Sequence, residues 1–241
     1  FKDRNGAGYW RFGSADPARY QNPHMHLFEA FLALRNAHFC HELDQYAEQK
    51  IVELSDLFFF AIYDSKKNVV REVLDRDWRR VVSAEGRRVE PGHCFEWSWL
   101  LLAANRLVRH EALNAAIALC NFAEARGVNP VTGLVYNTVD EDGFLIDGRH
   151  RLWPHTERIR TLSAGARFQN APNEAAFEAA FEAELVLSRY FFETASRCCW
   201  TERLDDAGRA IAAETPASSL YHLFACYAER LEACAPSELS S

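Results

Sequence analysis

The chain has a single methionine, Met25, and opens on Phe1. Its first stretch, Phe1 to Pro17, is polar and enters mid-pattern, so the expectation is a processed N-terminus or the C-terminal part of something longer. Long hydrophobic runs are missing too. The longest, Leu57-Phe58-Phe59-Phe60-Ala61-Ile62-Tyr63, falls far short of the roughly 20 residues that a bilayer crossing needs, and no signal peptide is visible. A basic stripe is lacking: 27 Lys and Arg stand against 34 Asp and Glu, for a net charge of −7, which argues against nucleic acid as a partner. Arg87-Arg88 and the group from Arg149 to Arg151 sit among acids and read as solvated surface. Seven cysteines are an odd count without a disulfide-scaffold spacing, and Cys198-Cys199 is adjacent rather than C-x-x-C, so reduced thiols in a cytoplasmic protein are expected. No linker, low-complexity tract or strong internal repeat divides residues 1–241, which are read as one domain.

What is present is apolar and helical. Hydrophobic residues make up 49% and aromatics 13%, enough for a substantial core. Leu27, Ala30, Phe31 and Leu34 recur at i, i+3, i+4 and i+7, the spacing of one helix face. Leu54, Leu57, Phe58 and Ala61 repeat it before the breaker Asp64-Ser65. Phe95, Trp99 and Leu102 mark a third helix. Leu113, Ala116, Ile117 and Cys120 mark a fourth, closed by Gly127 and Asn129-Pro130. Trp153-Pro154 opens a fifth, with proline where its missing N–H costs nothing. Phe177, Phe181, Leu185 and Ser188 mark a sixth, and Ser219 to Leu231 a seventh. Two stretches read as β-hairpins: Val69 to Val82 around Asp75-Arg76-Asp77, and Leu134 to Ile146, whose Asp142-Gly143 is a turn signal. Helix pairs with decorated loops on one side predict an all-α fold, an α/α toroid.

Four segments carry candidate chemistry. In Asn22-Pro23-His24-Met25-His26-Leu27-Phe28-Glu29, the residues Asn22, His26 and Glu29 share one helical line. The bland reading is an N-cap and an exposed polar face, and His24-x-His26 is a poor metal pair because i, i+2 side chains diverge on a helix. Pro91-Gly92-His93-Cys94-Phe95-Glu96-Trp97 delivers His93 to a helix start, where the dipole disfavours an imidazolium and leaves a neutral base. Glu96, one turn on, can orient that imidazole or bind a hydroxyl; a capped helix with a structural His–Glu pair is the alternative. In Arg151-Leu152-Trp153-Pro154-His155-Thr156-Glu157, Trp153, Glu157 and Arg160 run i, i+4, i+7. An aromatic face beside a carboxylate suits a sugar, though Trp before Pro is also a common entry into a core. Ser218-Ser219-Leu220-Tyr221-His222-Leu223 puts His222 near the start of the last helix among apolar neighbours, where a satisfied core histidine is the plainer reading.

Taken together these segments resemble the N-acylglucosamine 2-epimerase superfamily, which includes mannose isomerases, sulfoquinovose isomerases and cellobiose 2-epimerases. The likeness runs from Tyr20 to about Leu231, with the four motifs in the family's order. Pro-Gly-His-x-Phe-Glu-Trp at 91–97, with Asn22-Pro-His-Met-His26, looks most like the mannose isomerase branch; cellobiose epimerases tend to follow Gly-His with Asp-Ile-Glu. The resemblance implies an (α/α)6 barrel, of which this chain supplies the later two-thirds or less, incomplete at the N-terminus. It also implies that His93 and His222 are the catalytic pair and that Asn22, His26, Glu96, Trp153 and Glu157 line the sugar pocket. It implies no cofactor and no metal, a monosaccharide substrate, and no nucleic-acid or membrane partner; a homodimer is compatible with it. The family's Arg and aromatic groups from early helices have no counterpart here. His155 stands where several relatives carry Gln and is given no role.

The chemistry follows from acidity. The proton α to an aldose carbonyl is a weak acid, and removing it needs a positioned base and stabilisation of the enediolate. Two imidazoles converging on C1–C2 across one cavity supply both without a metal. The same pair serves an isomerase, moving the proton from C2 to C1, or a 2-epimerase, returning it to the other face of C2. Mannose–fructose isomerisation is favoured from the motif likeness. The competing readings are a barrel glycoside hydrolase with Glu96 and Glu157 as opposed carboxylates, and a non-catalytic carbohydrate- or protein-binding barrel or inactive fragment. A phosphorylated sugar would need cations, for which Arg149, Arg151 and Arg158 are the candidates.

Overall fold

The structure is a computed structural model that describes residues 8–9, 18–168, 174–193, 199–211 and 214–234. Apart from Gly8 and Tyr9, the polar opening stretch lies outside the described residues, as does Cys198. Two compact units divide the chain: one runs to Gly127 and takes in Thr138–Ile146, and the other comprises Val128–Asn137 and Asp147 onward.

In the first unit, helices α1 (Asn22–Asn36) and α2 (His41–Leu57) pack as one α/α hairpin, and α3 (Pro91–Ala103) and α4 (Ala112–Gly127) as another. Proline sits in the first turn of both α1 and α3, where no intrahelical partner for its nitrogen is lost. The apolar line ending in Phe58 and Ala61 carries on past α2 into a π-helical turn, Phe58–Ile62, before the strand β2 (Tyr63–Asp64). The core is aromatic: Trp97 is fully buried, 4.4 Å from Phe58 and 5.7 Å from Phe28 between ring centroids. Truncating such a ring to alanine costs about 3–5 kcal/mol.

The second unit contains α5 (Leu152–Phe168), α6 (Glu174–Leu187) and α7 (Ala217–Cys234), with both α6 and α7 against α5. Leu134, Leu152, Ile159, Leu187, Phe191 and Cys226 form its buried centre.

Three helices bury a different face from the expected one. Leu27, Phe31 and Leu34 are only half-buried and Ala30 is exposed, because α1 turns Met25, Phe28 and Leu32 inward together with the polar His24 and Glu29. In α4 the inward residues are mostly small, Ala112, Ala115, Ala116 and Ala123 beside Leu119, while Leu113 and Ile117 face out. In α6 Ala180, Ala183 and Leu187 are inside, and Phe177, Phe181 and Leu185 are well exposed. Short side chains let helix axes approach closely, which suits the alanine-rich inner faces of α4 and α6.

The strands are two or three residues long and sit in the loops. Only part of the first expected hairpin forms as one: β3 (Val69–Val70) pairs back onto β2, β4 (Val73–Leu74) pairs with β1 (Arg19–Tyr20), and a Leu74–Arg80 bridge closes the Asp75 loop. From the second stretch, β6 (Thr138–Asp140) and β7 (Leu145–Asp147) form a hairpin, with β5 (Arg88–Val89) on the far side of β6. Leu134 lies outside its ladder.

One turn is built three times. At Asp75, Asp140 and Asp205 the carboxylate Oδ1 accepts the backbone N–H groups two and four residues on, and the aspartate's own N–H donates to the carbonyl of the fourth residue. The third residue after each aspartate takes positive φ: Gly143 at +84° and Gly208 at +76° do so without strain, but Trp78 does so at +63°. Trp78 is held there by an edge contact with the His24 ring at 5.0 Å and by the Arg19 guanidinium at 5.2 Å.

Candidate active site

In the first unit the loop around Glu90 enters α3 through Pro91-Gly92, placing His93 in the first helical turn with 7% of its surface exposed. The entry is tight because α4 ends beside it: a Cβ on Gly127 would lie 2.3 Å from that of Pro91, so only glycine fits. His93 Nδ1 lies 2.8 Å from Glu72 Oε2. A carboxylate only accepts, so Nδ1 carries a proton, and in the neutral ring Nε2 keeps its lone pair. Asn22, the first residue of α1, brings its Nδ2 to 3.4 Å from that Nε2 and to the same distance from His26 Nε2.

Behind Glu72 stands a buried chain of donors. Gln21 donates its backbone N–H to the Glu72 carbonyl (3.2 Å) and its Nε2–H to Glu72 Oε2 (3.0 Å). The Glu90 N–H reaches Glu72 Oε1 at 3.0 Å. Trp97 Nε1–H in turn donates to Gln21 Oε1 at 2.7 Å. The carboxylate that orients His93 is therefore Glu72 rather than Glu96. Glu96 is buried on the adjacent face and lies 3.6 Å from Nδ1 of the exposed His26.

The second unit builds a similar pair. His222, in the second turn of α7 and 6% exposed, brings Nδ1 to 2.7 Å from Glu157 Oε1 on α5. Glu157 is fully buried, and its other oxygen accepts from Arg160 Nη1 at 3.3 Å. Burial alone would push this carboxyl up, but Arg160 and the hydrogen bond from His222 outweigh it and hold Glu157 below the usual glutamate value. Glu157, expected on a pocket wall, thus lies beneath His222 and is occupied by it. The partly exposed Trp153 stacks on the His222 ring. The expected line Trp153, Glu157, Arg160 is present, and it converges on a histidine that sequence spacing does not connect to it.

The remaining histidines of these motifs are structural. His155 accepts the Val135 N–H on Nε2 (2.9 Å) and donates Nδ1–H to the Arg151 carbonyl (2.8 Å); burial lowers its pKa to about 3. His24 accepts the Tyr9 N–H and donates to the Tyr20 carbonyl, with its pKa lowered to about 4 by burial. Of the phosphate candidates, Arg149 is paired with Asp147, Arg158 donates to the Gly133 carbonyl, and Arg151 lies over the Trp153 ring. Among the described residues two groups have the composition of a divalent-cation site, Glu72 with Glu90 and His93, and His26 with Glu29 and Glu96, each with ligand atoms within 4.8 Å of one another. Among the described residues no helix is long and apolar enough to cross a membrane.

Glu72 and Gln21 escaped the sequence reading. Neither lies within a helical repeat of His93, and Glu72 comes from the strand-rich loop between α2 and α3. Its one signal is a lone acid between the valines of two short strands, which is too common to carry an assignment.

Comparison with known proteins gives one direction. The family model for N-acylglucosamine 2-epimerase (GlcNAc 2-epimerase) matches residues 9–226. A curated protein of Rhizobium meliloti (strain 1021) named mannose-6-phosphate isomerase is 34% identical over 229 residues, covering 92% of this chain and 58% of its own. The crystal structure of a D-mannose isomerase superposes with a TM-score of 0.75 at 20% identity, covering 92% of this chain and 58% of that one. A cellobiose 2-epimerase from Bacillus thermoamylovorans B4167 superposes with a TM-score of 0.71 at 17% identity, covering 88% and 53%. These likenesses show the fold, the expected (α/α)6 barrel class. The chain spans little more than half the length of the proteins it matches.

Proposed function

The chain belongs to the N-acylglucosamine 2-epimerase family, and from that premise we propose that it carries the proton-transfer groups of a sugar isomerase interconverting mannose, or a mannose derivative, and fructose. The observation that carries this reading is the same arrangement found twice: His93 and His222 each have a carboxylate on Nδ1, which leaves Nε2 of each as a base. The name of the Rhizobium meliloti relative and the Pro-Gly-His-x-Phe-Glu-Trp segment favour mannose among the sugars.

With the aldose ring opened, one imidazole takes the C2 proton. The electron pair forms the C1–C2 double bond, and charge moves onto O1, which is then protonated to give the enediol. Loss of the O2–H proton restores a carbonyl at C2, and the proton delivered to C1 completes the ketose. One histidine shuttles the carbon-bound proton and the other opens the ring and moves the hydroxyl proton. Trp153 offers an aromatic face for sugar C–H groups, and Asn22, His26 and Glu96 offer hydrogen bonds to its hydroxyls. Glu157 and Arg160 hold His222 in place from beneath.

The test is turnover of mannose by the complete protein and by His93→Ala and His222→Ala. The reading expects fructose from the wild type and a loss of about 10²–10⁴-fold in each variant with the fold retained. Product that is glucose in place of fructose assigns the same groups to a 2-epimerase. Near-normal turnover by either variant defeats the assignment.

A further inference from the structure

We infer that Glu72 is a positioning residue for His93, and that Gln21 and Trp97 extend behind it as a buried relay that fixes which nitrogen of His93 is the base. The inference rests on the proposed role of His93 and adds to it Trp97 from the same helix and residues from two other places in the chain.

Glu72 receives three side-chain or backbone donors at once: His93 Nδ1–H at 2.8 Å and Gln21 Nε2–H at 3.0 Å on one oxygen, and the Glu90 N–H at 3.0 Å on the other. Only a carboxylate satisfies this set, because both of its oxygens accept. An amide at position 72 fails in either orientation. With its oxygen toward His93 and Gln21, its NH2 meets the Glu90 N–H head-on. With its oxygen toward Glu90, its NH2 opposes the Gln21 amide and pushes His93 into the other tautomer, which places a proton on Nε2 and removes the base.

The groups behind Glu72 are equally determined. Gln21 is fully buried, and its amide has one orientation available: Trp97 Nε1–H at 2.7 Å fixes Oε1, so the NH2 must face Glu72. Trp97 is itself fully buried between Phe28 and Phe58, so it cannot turn away. The rigid aromatic core of the first unit thereby dictates, through two intervening side chains, the proton position on an imidazole near the surface. Orienting partners of this kind govern both tautomer and ring direction in other histidine sites.

The experiment uses the complete protein with 15N-labelled histidine and reads the ring nitrogens of His93 by two-bond 1H–15N correlation, alongside kcat and KM for mannose. Wild type is expected to show His93 protonated on Nδ1. Glu72→Gln is expected to shift it to the Nε2–H form or a mixture and to lower kcat by about 10²–10⁴-fold with KM little changed. The charge-preserving Glu72→Asp is expected to recover part of both signals. Glu85→Gln, an exposed acid of the neighbouring loop, is expected to match wild type in all of them. A His93 spectrum and kcat that stay at wild-type values in Glu72→Gln overturn the inference, as does a shifted tautomer with unchanged kcat. Where Glu72→Gln does not fold, wild-type signals in Glu72→Asp do the same. The tautomer spectrum needs no turnover, so wild-type protein that ignores mannose would count against the proposed reaction while the positioning of His93 is still decided.

Discussion

The ring of Trp153 lies on that of His222, with centroids 5.5 Å apart and planes 29° from parallel. The indole thus covers one face of an imidazole whose Nδ1 is held by Glu157, and between them they leave that ring little freedom to rotate. Trp153→Ala removes the stack and the aromatic face offered to a sugar. An aromatic pair contributes about 0.5–1.5 kcal/mol beyond burial, so kcat/KM is expected to fall about 10-fold, with Trp153→Phe recovering most of it. Steady-state kinetics of the two variants check this.

Acid stability depends on His155. Its pKa is about 3 in the folded chain, from an ordinary value of 6.5, so below 6.5 the unfolded chain takes up a proton that the folded chain refuses. Stability is fully present above that value and is lost as pH falls toward 3. His155→Gln keeps an acceptor for the Val135 N–H and has no proton to gain. The variant's urea midpoint is expected to fall less than that of the wild type between pH 7 and pH 4.

The two cation-like groups, Glu72 with Glu90 and His93, and His26 with Glu29 and Glu96, make the metal question direct. In the proposed reaction Glu72 orients the His93 imidazole and Glu96 accepts a hydrogen bond from a sugar hydroxyl. Turnover is therefore expected to survive dialysis against EDTA without loss, and added Mn²⁺ or Zn²⁺ to give no gain. Activity that vanishes with the chelator and returns with one ion would assign these residues to a metal centre.

How much of this was legible in the sequence depends on the range of the interaction. Helix starts at Pro23, Pro91 and Pro154 and the Asp142-Gly143 turn follow from local geometry, and they stand where expected. The inner faces of α4 and α6 differ from the expected ones because Leu113, Ile117, Phe177, Phe181 and Leu185 lie outside while alanines, with Leu119 and Leu187, lie inside. The Asp turns at Asp75 and Asp140 fall within the two expected hairpins, whereas the turn at Asp205 was not read although Gly208 stands where Gly143 does. Histidines and their motif neighbours were readable as candidates, but Glu72 meets His93 across 21 residues and Glu157 meets His222 across 65, distances over which spacing carries no information.

The central claim is that His93 and His222 move a proton at C2 of a sugar. Proton NMR of the complete protein with mannose in D₂O tests it most directly. The account predicts solvent deuterium at C1 of the fructose formed, and at C2 of the remaining mannose, in the wild type, and neither change in His93→Ala or His222→Ala. Fructose that forms at full rate with no solvent deuterium at C1, or exchange at full rate in either variant, would contradict it.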